Sequence, residues 1–357
     1  MKLLVTGGAG FIGSNFVHYW REHYPDDQIV VLDALTYAGH KENLSGIPEG
    51  KNFMFIKGDI RDYETARDAI EGVEAVVHFA AETHVDRSLA GSEGAMRFYQ
   101  TNLEGTEILL NAAREAGVKR FLHVSTDEVF GDLDYDDPEK FHEGSSYNPH
   151  SPYAVSKAAA DMAVRAFYHT WHEPEVLITN CTNNYGPYQT PEKVIPRSVA
   201  LLQEGQKVKL YTDVEGRPGR NVRDWLHVED HCSALEAVLL RGRAGETYCI
   251  GGNAEMSNYQ LVERMLAIMS EVTGKPMSIE THVEFVKDRP GHDRRYAMNT
   301  SKIESELGWK PKHTFEEGFR ETVKWYLSPE GRVWLETLRE TSREVRVGQD
   351  KGAEIKL

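Results

Sequence analysis

Lys2-Leu3-Leu4-Val5-Thr6-Gly7-Gly8-Ala9-Gly10-Phe11-Ile12-Gly13 is the stretch on which the fold of this chain turns. Apolar residues 3–5 read as a buried strand and residues 11–21 as a helix, with Gly7, Gly10 and Gly13 spaced three apart between them. A sharp turn from strand to helix needs backbone free of Cβ clashes. Bare amide N–H groups at a helix start attract a pyrophosphate. Glycines alone are weak evidence; the strand before them and the helix after them give the context a dinucleotide site requires.

Outward from this turn, short apolar runs alternate with helix-like segments. Residues 29–32, 53–56, 75–79, 121–124 and 176–179 read as buried strands, and residues 102–116 as an amphipathic helix carrying Leu103, Ile108, Leu109 and Ala112. Such alternation predicts βαβ units and an α/β fold: a doubly wound parallel (Rossmann) sheet covered by helices on both faces. Beyond residue 185 the pattern changes. Pro187, Pro191 and Pro196 break the chain, Gly216, Pro218 and Gly219 mark an irregular loop, and helical periodicity returns at 229–240, 261–272 and 315–326. We expect a dinucleotide-binding region over 1–185 and a smaller mixed α/β substrate region over 186–340, with some elements crossing between them. Residues 341–357 read as a polar tail.

The strand ends carry the cofactor signals. Asp33 stands 20 residues after Gly13, where a carboxylate binds both adenosine ribose hydroxyls and repels a 2′-phosphate. Ala34 follows with no Arg beside it, so NAD is favoured over NADP. Asp59-Ile60 closes the third strand within reach of an adenine amine, and Ala80-Ala81 closes the fourth with side chains small enough for close approach. The plainer alternative is a glycine turn and strand-end acids that only shape the fold.

Ser151-Pro152-Tyr153-Ala154-Val155-Ser156-Lys157 opens a further helix, with Pro in its first turn and Tyr153 and Lys157 on one face at i, i+4. An ammonium beside a phenol favours the phenolate and should pull the pKa down, making Tyr153 a base for a hydroxyl. Ahead of it, the strand 121–124 delivers Ser125, Thr126, Asp127 and Glu128 to the carboxyl edge of the sheet, where ligands bind in such folds. A hydroxyl there can bond the reacting oxygen. Two adjacent carboxyls suit a second, acid–base step, one protonated and one ionised. Their bland alternative is a solvated turn with Asp as a helix cap, and that of Tyr153/Lys157 is an exposed helix pair.

Composition sets the outer limits. Of 357 residues 40% are hydrophobic and 27% charged, as in ordinary globular proteins. A net charge of −15 argues against nucleic acid or an anionic membrane as partner, though not against an anionic substrate met by local arginines. Arg217, Arg220 and Arg223, and later Arg289, Arg294 and Arg295, are candidates. Cys181, Cys232 and Cys249 lack metal-binding spacing and read as buried thiols; no metal is expected. With no signal-type segment before the first strand and no run of about 20 apolar residues, the expectation is a cytoplasmic protein.

The glycine turn, Asp33, Ser125-Thr126 and Tyr153-x-x-x-Lys157 together resemble the extended short-chain dehydrogenase/reductases. Within that superfamily the chain is most similar to the dTDP-glucose 4,6-dehydratases. The matching stretches include Leu35-Thr36-Tyr37-Ala38-Gly39, Ala81-Glu82-Thr83-His84-Val85-Asp86-Arg87-Ser88, Thr126-Asp127-Glu128 and Asn183-Asn184-Tyr185-Gly186-Pro187-Tyr188. Pro191-Glu192-Lys193, Arg223-Asp224-Trp225 and the run from Asp288 to Tyr296 extend the likeness to about residue 326. The Thr-Asp-Glu triplet discriminates, because epimerases of the superfamily typically carry small or hydroxyl residues there.

The resemblance implies a full set of roles. Tyr153, aided by Lys157 and Thr126, takes the proton of a sugar C4 hydroxyl while hydride passes to NAD. Glu128 removes the C5 proton and Asp127 protonates the departing C6 hydroxyl. Further cofactor contacts would come from Leu35, Thr36, Thr101 and Asn184. Thr83, Asn183, Lys193, Val194, Lys209, Tyr211, Arg223, Asn258, Asp288, Arg289, His292 and Tyr296 would meet the nucleotide sugar. The resemblance also implies a homodimer paired through the helices near 102–116 and 153–171. Three departures stand out: Ala34 replaces the family's usual Lys, Phe130 its usual Tyr, and residues 212–222 form a loop about five residues longer. The alternatives are a related nucleotide-sugar epimerase or 5,6-dehydratase, or a non-catalytic NAD-binding regulator.

Overall fold

The computed structural model describes residues 1–213, 215–288, 291–336 and 338. Arg289 and the tail 341–357 lie outside them. Seven parallel strands form the main sheet: β1 (Lys2–Thr6), β2 (Gln28–Asp33), β3 (Phe53–Lys57), β4 (Ala75–His78), β5 (Arg120–Thr126), β6 (Glu175–Cys181) and, far along the chain, β10 (Thr247–Ile250). Their order across the sheet is β3-β2-β1-β4-β5-β6-β10, so the winding reverses between β1 and β4. At such a reversal the flanking helices diverge and leave a crevice at the carboxyl ends of the strands. Except for the edge strand β3, where Met54 and Lys57 are exposed, the strands are mostly buried, as parallel strands covered on both faces must be.

Apolar residues on the two sheet faces form separate cores. Leu3, Val5, Phe16 and Trp20 pack on one side, and Leu4, Leu109, Phe121 and Val164 on the other. The later chain returns to the first of these. The helix Val228–Arg241 contributes Cys232, Leu235 and Val238 to it, and β10 then pairs with β6.

The remaining strands build two small sheets. In one, β7 (Asn183–Tyr185) pairs parallel with β9 (Val222–His227), and β11 (Glu255–Ser257) runs antiparallel to β9. In the other, β8 (Val208–Thr212) pairs with β12 (Val283–Lys287). A third core fills the space around them, with Tyr185, Trp225, Leu266, Phe319 and Tyr326 fully or almost fully buried. The long loop after β8 folds back on itself: Thr212 bridges Pro218 and Gly219 donates to the Tyr211 carbonyl.

One helix differs from its sequence reading. The expected start at Asn102 is the middle of a longer helical run, from Gly91–Tyr99 through a wide π turn at Gln100–Glu104 into Gly105–Glu115. The turn is fixed from outside: the buried Asn102 amide donates to Glu82 O at 3.0 Å and Ser156 Oγ at 2.8 Å, and its oxygen accepts the Glu82 amide at 2.8 Å. Tertiary bonds of this kind override the 3.6-residue period.

Candidate active site

A cavity of about 1420 Å³ runs along the carboxyl edge of the sheet, from the glycine turn to the helix Pro152–Trp171. At the turn, Gly7 adopts φ +69°, and a Cβ there would lie 2.6 Å from the Ala80 amide nitrogen. A Cβ on Gly13 would lie 2.2 Å from the Gly7 carbonyl oxygen. Both positions therefore exclude a side chain, as the sequence spacing required. Gly10 caps the helix Phe11–His23 without any side-chain hydrogen bond to its first amides. Gly10, Phe11, Ile12 and Gly13 line the cavity.

Asp33 ends β2 almost fully buried, its two carboxylate oxygens receiving the Ala9 amide at 2.9 Å and the Leu35 amide at 2.8 Å. Burial raises its pKa and the two amides offset part of that. These bonds fix the carboxylate at the cavity wall, with lone pairs left for hydroxyl donors. Ala34, Leu35, Thr36, Asp59, Ile60, Ala80, Ala81, Thr101 and Asn184 line the same wall. The volume exceeds the roughly 300–1,000 Å³ of a drug-sized site. The uncapped helix start, the side-chain-free turn and the buried carboxylate match the pyrophosphate and ribose of a dinucleotide, so the residues present fit NAD.

The reactive groups sit at the other end. Strand β5 hands Thr126 to a 3₁₀ turn, Asp127–Phe130. The cap of that turn is Thr126, whose oxygen accepts the Glu128 amide at 3.3 Å, and not Asp127. Asp127 is thereby free to turn inward, where it is 2% exposed and accepts the Thr126 hydroxyl at 3.2 Å. Burial, and then the charge of Glu128, push its pKa well above the usual carboxylate range, while Arg223 pulls the other way. Glu128 is only partly buried and lines the cavity. The two neighbours thus occupy unlike environments, which is the condition for one acid and one base.

Ser151 caps the next helix by accepting the Ala154 amide at 3.1 Å, and Tyr153 and Lys157 both reach the cavity. The expected lowering of the Tyr153 pKa is reversed in the chain itself. Burial raises it well above 10, Glu128 adds to the rise, and a hydrogen bond with Thr126 opposes it. The Lys157 ammonium is also buried and donates to the Val124 carbonyl at 2.9 Å.

The expected substrate residues divide. Thr83, Asn183 and Lys193 line the cavity, and Lys193 Nζ donates to Thr83 O at 3.4 Å. Val194 begins the helix Val194–Gln203 just beyond. Lys209 and Tyr211 lie on β8 and Asn258 starts the helix Asn258–Thr273, outside the walls of the cavity. Asp288 pairs with His292 at 2.7 Å, and the His292 ring meets the Tyr211 ring edge-on. Most of the arginines proposed as a local basic patch are already matched to carboxylates. Arg217 and Arg220 face Asp213, Arg294 faces Asp132 and Asp134, and Arg295 faces Glu255. Arg223 differs: it is held by the carbonyls of Val222, Asp293 and Arg294, lies over the Tyr296 ring at 4.3 Å, and projects its charge onto Asp127. Tyr296 is buried and donates to Asp293.

Some cavity residues had no assigned role in the sequence. The Tyr37 hydroxyl accepts the Thr83 and His84 amides at 3.1 Å each, and the Arg87 guanidinium covers its ring at 3.9 Å. Arg97 and Glu192 line the wall nearby. Below Lys157 lies a buried group of His123 and Asp161, with Nε2 and Oδ1 3.2 Å apart. The i, i+4 spacing of Lys157 and Asp161 was the available signal for the second of these.

Against known proteins, residues 4–322 match the family model described as GDP-mannose 4,6 dehydratase. The chain is 46% identical over 344 residues to a dTDP-glucose 4,6-dehydratase of Streptomyces niveus, covering 95% of this chain and 96% of that protein. It is 46% identical over 327 residues to the low-salt glycan biosynthesis protein Agl12 of Haloferax volcanii, covering 92% and 99%. Among solved structures it resembles DesIV, a dTDP-glucose 4,6-dehydratase of Streptomyces venezuelae crystallised with NAD and TYD bound. The TM-score is 0.85 at 47% identity, over 95% of this chain and all of that one.

Proposed function

The chain belongs to the GDP-mannose 4,6 dehydratase family and, within it, to the dTDP-glucose 4,6-dehydratases, and from that premise we propose how its own residues remove water from dTDP-glucose. The product is dTDP-4-keto-6-deoxyglucose, the enzyme is an NAD-dependent hydro-lyase, and the cofactor is held along the glycine turn and Asp33. NAD supplies the hydride acceptor for C4 and the hydride donor for C6.

The protein groups move the protons. Tyr153 accepts the proton of the C4 hydroxyl. Burial opposes its phenolate, so the Lys157 ammonium would stabilise that charge, together with the Thr126 hydroxyl once it turns from Asp127 to the phenol. The 4-keto group then acidifies C5–H, and Glu128 takes that proton. Asp127, kept protonated by burial, gives its proton to the C6 oxygen, which leaves as water. After reduction at C6, a proton returns to C5 from Glu128. Arg223 and Lys193 would bind the diphosphate, Arg223 because a guanidinium meets phosphate oxygens in pairs. We assign residues 1–185 mainly to the cofactor and 186–340 mainly to the nucleotide sugar.

The observation that carries this reading is the inward, buried Asp127 beside the more accessible Glu128, at the cavity that Tyr153 and Lys157 share. Initial rates with dTDP-, UDP-, CDP- and GDP-glucose test it. The reading predicts dTDP-glucose as the best substrate; inertness toward all four overturns it.

For assembly we propose a homodimer. Leu89, Met96, Val155 and Met162 are 43%, 50%, 39% and 55% exposed, on or just before the helices Gly91–Tyr99 and Pro152–Trp171. A second copy of the same face would cover them. The three cysteines are free and buried, which suits a reducing cytoplasm.

A further inference from the structure

We propose that Asp161 is a positioning residue of this reaction: its carboxylate, clamped beneath the cavity one helical turn from Lys157, keeps charged the ammonium that the Val124 carbonyl holds in place to serve Tyr153. The inference rests on the dehydratase reading above and extends it to a residue that the chemistry does not otherwise use. Asp161 lies one helical turn after Lys157, and both are buried. Its Oδ2 accepts Ser125 Oγ at 3.0 Å, the Tyr147 hydroxyl at 2.8 Å and Asn180 Nδ2 at 3.1 Å, and its Oδ1 faces His123 Nε2 at 3.2 Å. A carboxylate with that many donors stays ionised even at zero exposure.

Lys157 needs such a partner. Burial pushes its pKa down, and the Asp161 charge is the first influence that pushes it back up. The other groups around the pair do not replace it. His123 on β5 and His78 on β4, with rings 5.3 Å apart, are driven toward the neutral form by burial. Cys181 on β6 has a thiol raised to about 12 and stays uncharged. Tyr147 is neutral and bonded to Arg165, whose charge has the wrong sign. Asp127, on the cavity side, is pushed toward its neutral form by burial. Tyr153 and Glu128 complete the cavity side, and both are occupied by the chemistry.

The test is the pH dependence of kcat with dTDP-glucose for wild type, Asp161→Asn and Asp161→Glu, each checked for bound NAD and melting temperature. Without the carboxylate, Lys157 loses its proton at lower pH. Asp161→Asn should move the alkaline limb of kcat down by about one pH unit or more. It should also lower kcat near neutrality by about 10-fold or more, with KM nearly unchanged. Asp161→Glu, which keeps the charge, should restore the limb. Should Asp161→Asn fail to fold, Asp161→Ser, with room for water, carries the same prediction. A folded neutral variant whose limb stays at the wild-type pH overturns the proposal, even if its kcat is lower at every pH. A wild type that makes no 4-keto sugar overturns the dehydratase reading itself, and this proposal with it.

Discussion

The Thr126 hydroxyl donates to the Asp127 carboxylate at 3.2 Å while the Thr126 oxygen accepts the Glu128 amide at 3.3 Å. One side chain thereby caps the turn, turns Asp127 inward and leaves Glu128 toward the cavity. Thr126 also opposes the rise of the Tyr153 pKa, so the same side chain acts on the phenol and on both carboxyls.

The two carboxyls should separate by experiment. Either Asp127→Asn or Glu128→Gln should slow turnover by roughly 10²–10⁴, the range for a lost acid or base. In D₂O, Glu128→Gln should also suppress deuterium exchange at C5, whereas Asp127→Asn should retain that exchange and fail at loss of the C6 oxygen. Equal C5 exchange in the two variants would contradict the assigned roles.

Asp127 should cost the fold stability at high pH. Its folded pKa lies above its unfolded one, so the stability of its bound proton is present below the usual carboxylate pKa and is lost as pH rises through the raised value. Asp127→Asn should therefore melt at a higher temperature than wild type near neutrality, with a gap that widens as pH rises. Melting curves across pH check this, and a gap that narrows would refute it.

Gly13→Ala should abolish cofactor binding and destabilise the chain by about 2 kcal/mol or more, because its Cβ would lie 2.2 Å from the Gly7 carbonyl oxygen, which is backbone and cannot swing away. Asp33→Ser should keep the fold but relax the preference for NAD over NADP. Cofactor released on denaturation reads the first, and binding titrations the second.

Much of this arrangement could be read from the amino-acid order. The six strands before residue 185 announced themselves because parallel strands buried on both faces need unbroken apolar runs, and Gly7, Gly10 and Gly13 because the turn tolerates nothing larger. The ionisation states were not legible. Asp127 and Glu128 look alike in sequence, and their difference comes from burial, which Arg223, almost a hundred residues on, only partly offsets. The Tyr153 phenol was misjudged for the same reason, since i, i+4 spacing reports proximity and not desolvation. The π turn at Gln100–Glu104 escaped because bonds from Asn102 to Glu82 and Ser156 hold it, and periodicity carries no trace of them. Likewise Arg217, Arg220, Arg294 and Arg295 look free in the sequence, because Asp132, Asp134, Asp213 and Glu255 come opposite them only in the fold.

Met162→Glu, on the exposed face of the helix Pro152–Trp171, should convert a dimer to monomers without perturbing the cavity. Light scattering decides it. A wild type that is monomeric at micromolar concentration would remove the proposed interface.

The central claim is that one cavity couples oxidation at C4 to elimination across C5 and C6. Proton NMR of the product formed from dTDP-glucose tests it most directly. The account predicts a 4-keto sugar with a new C6 methyl signal and no net consumption of NAD. A product that keeps its C6 hydroxyl, whether a C4 epimer or a simple ketone, would contradict it.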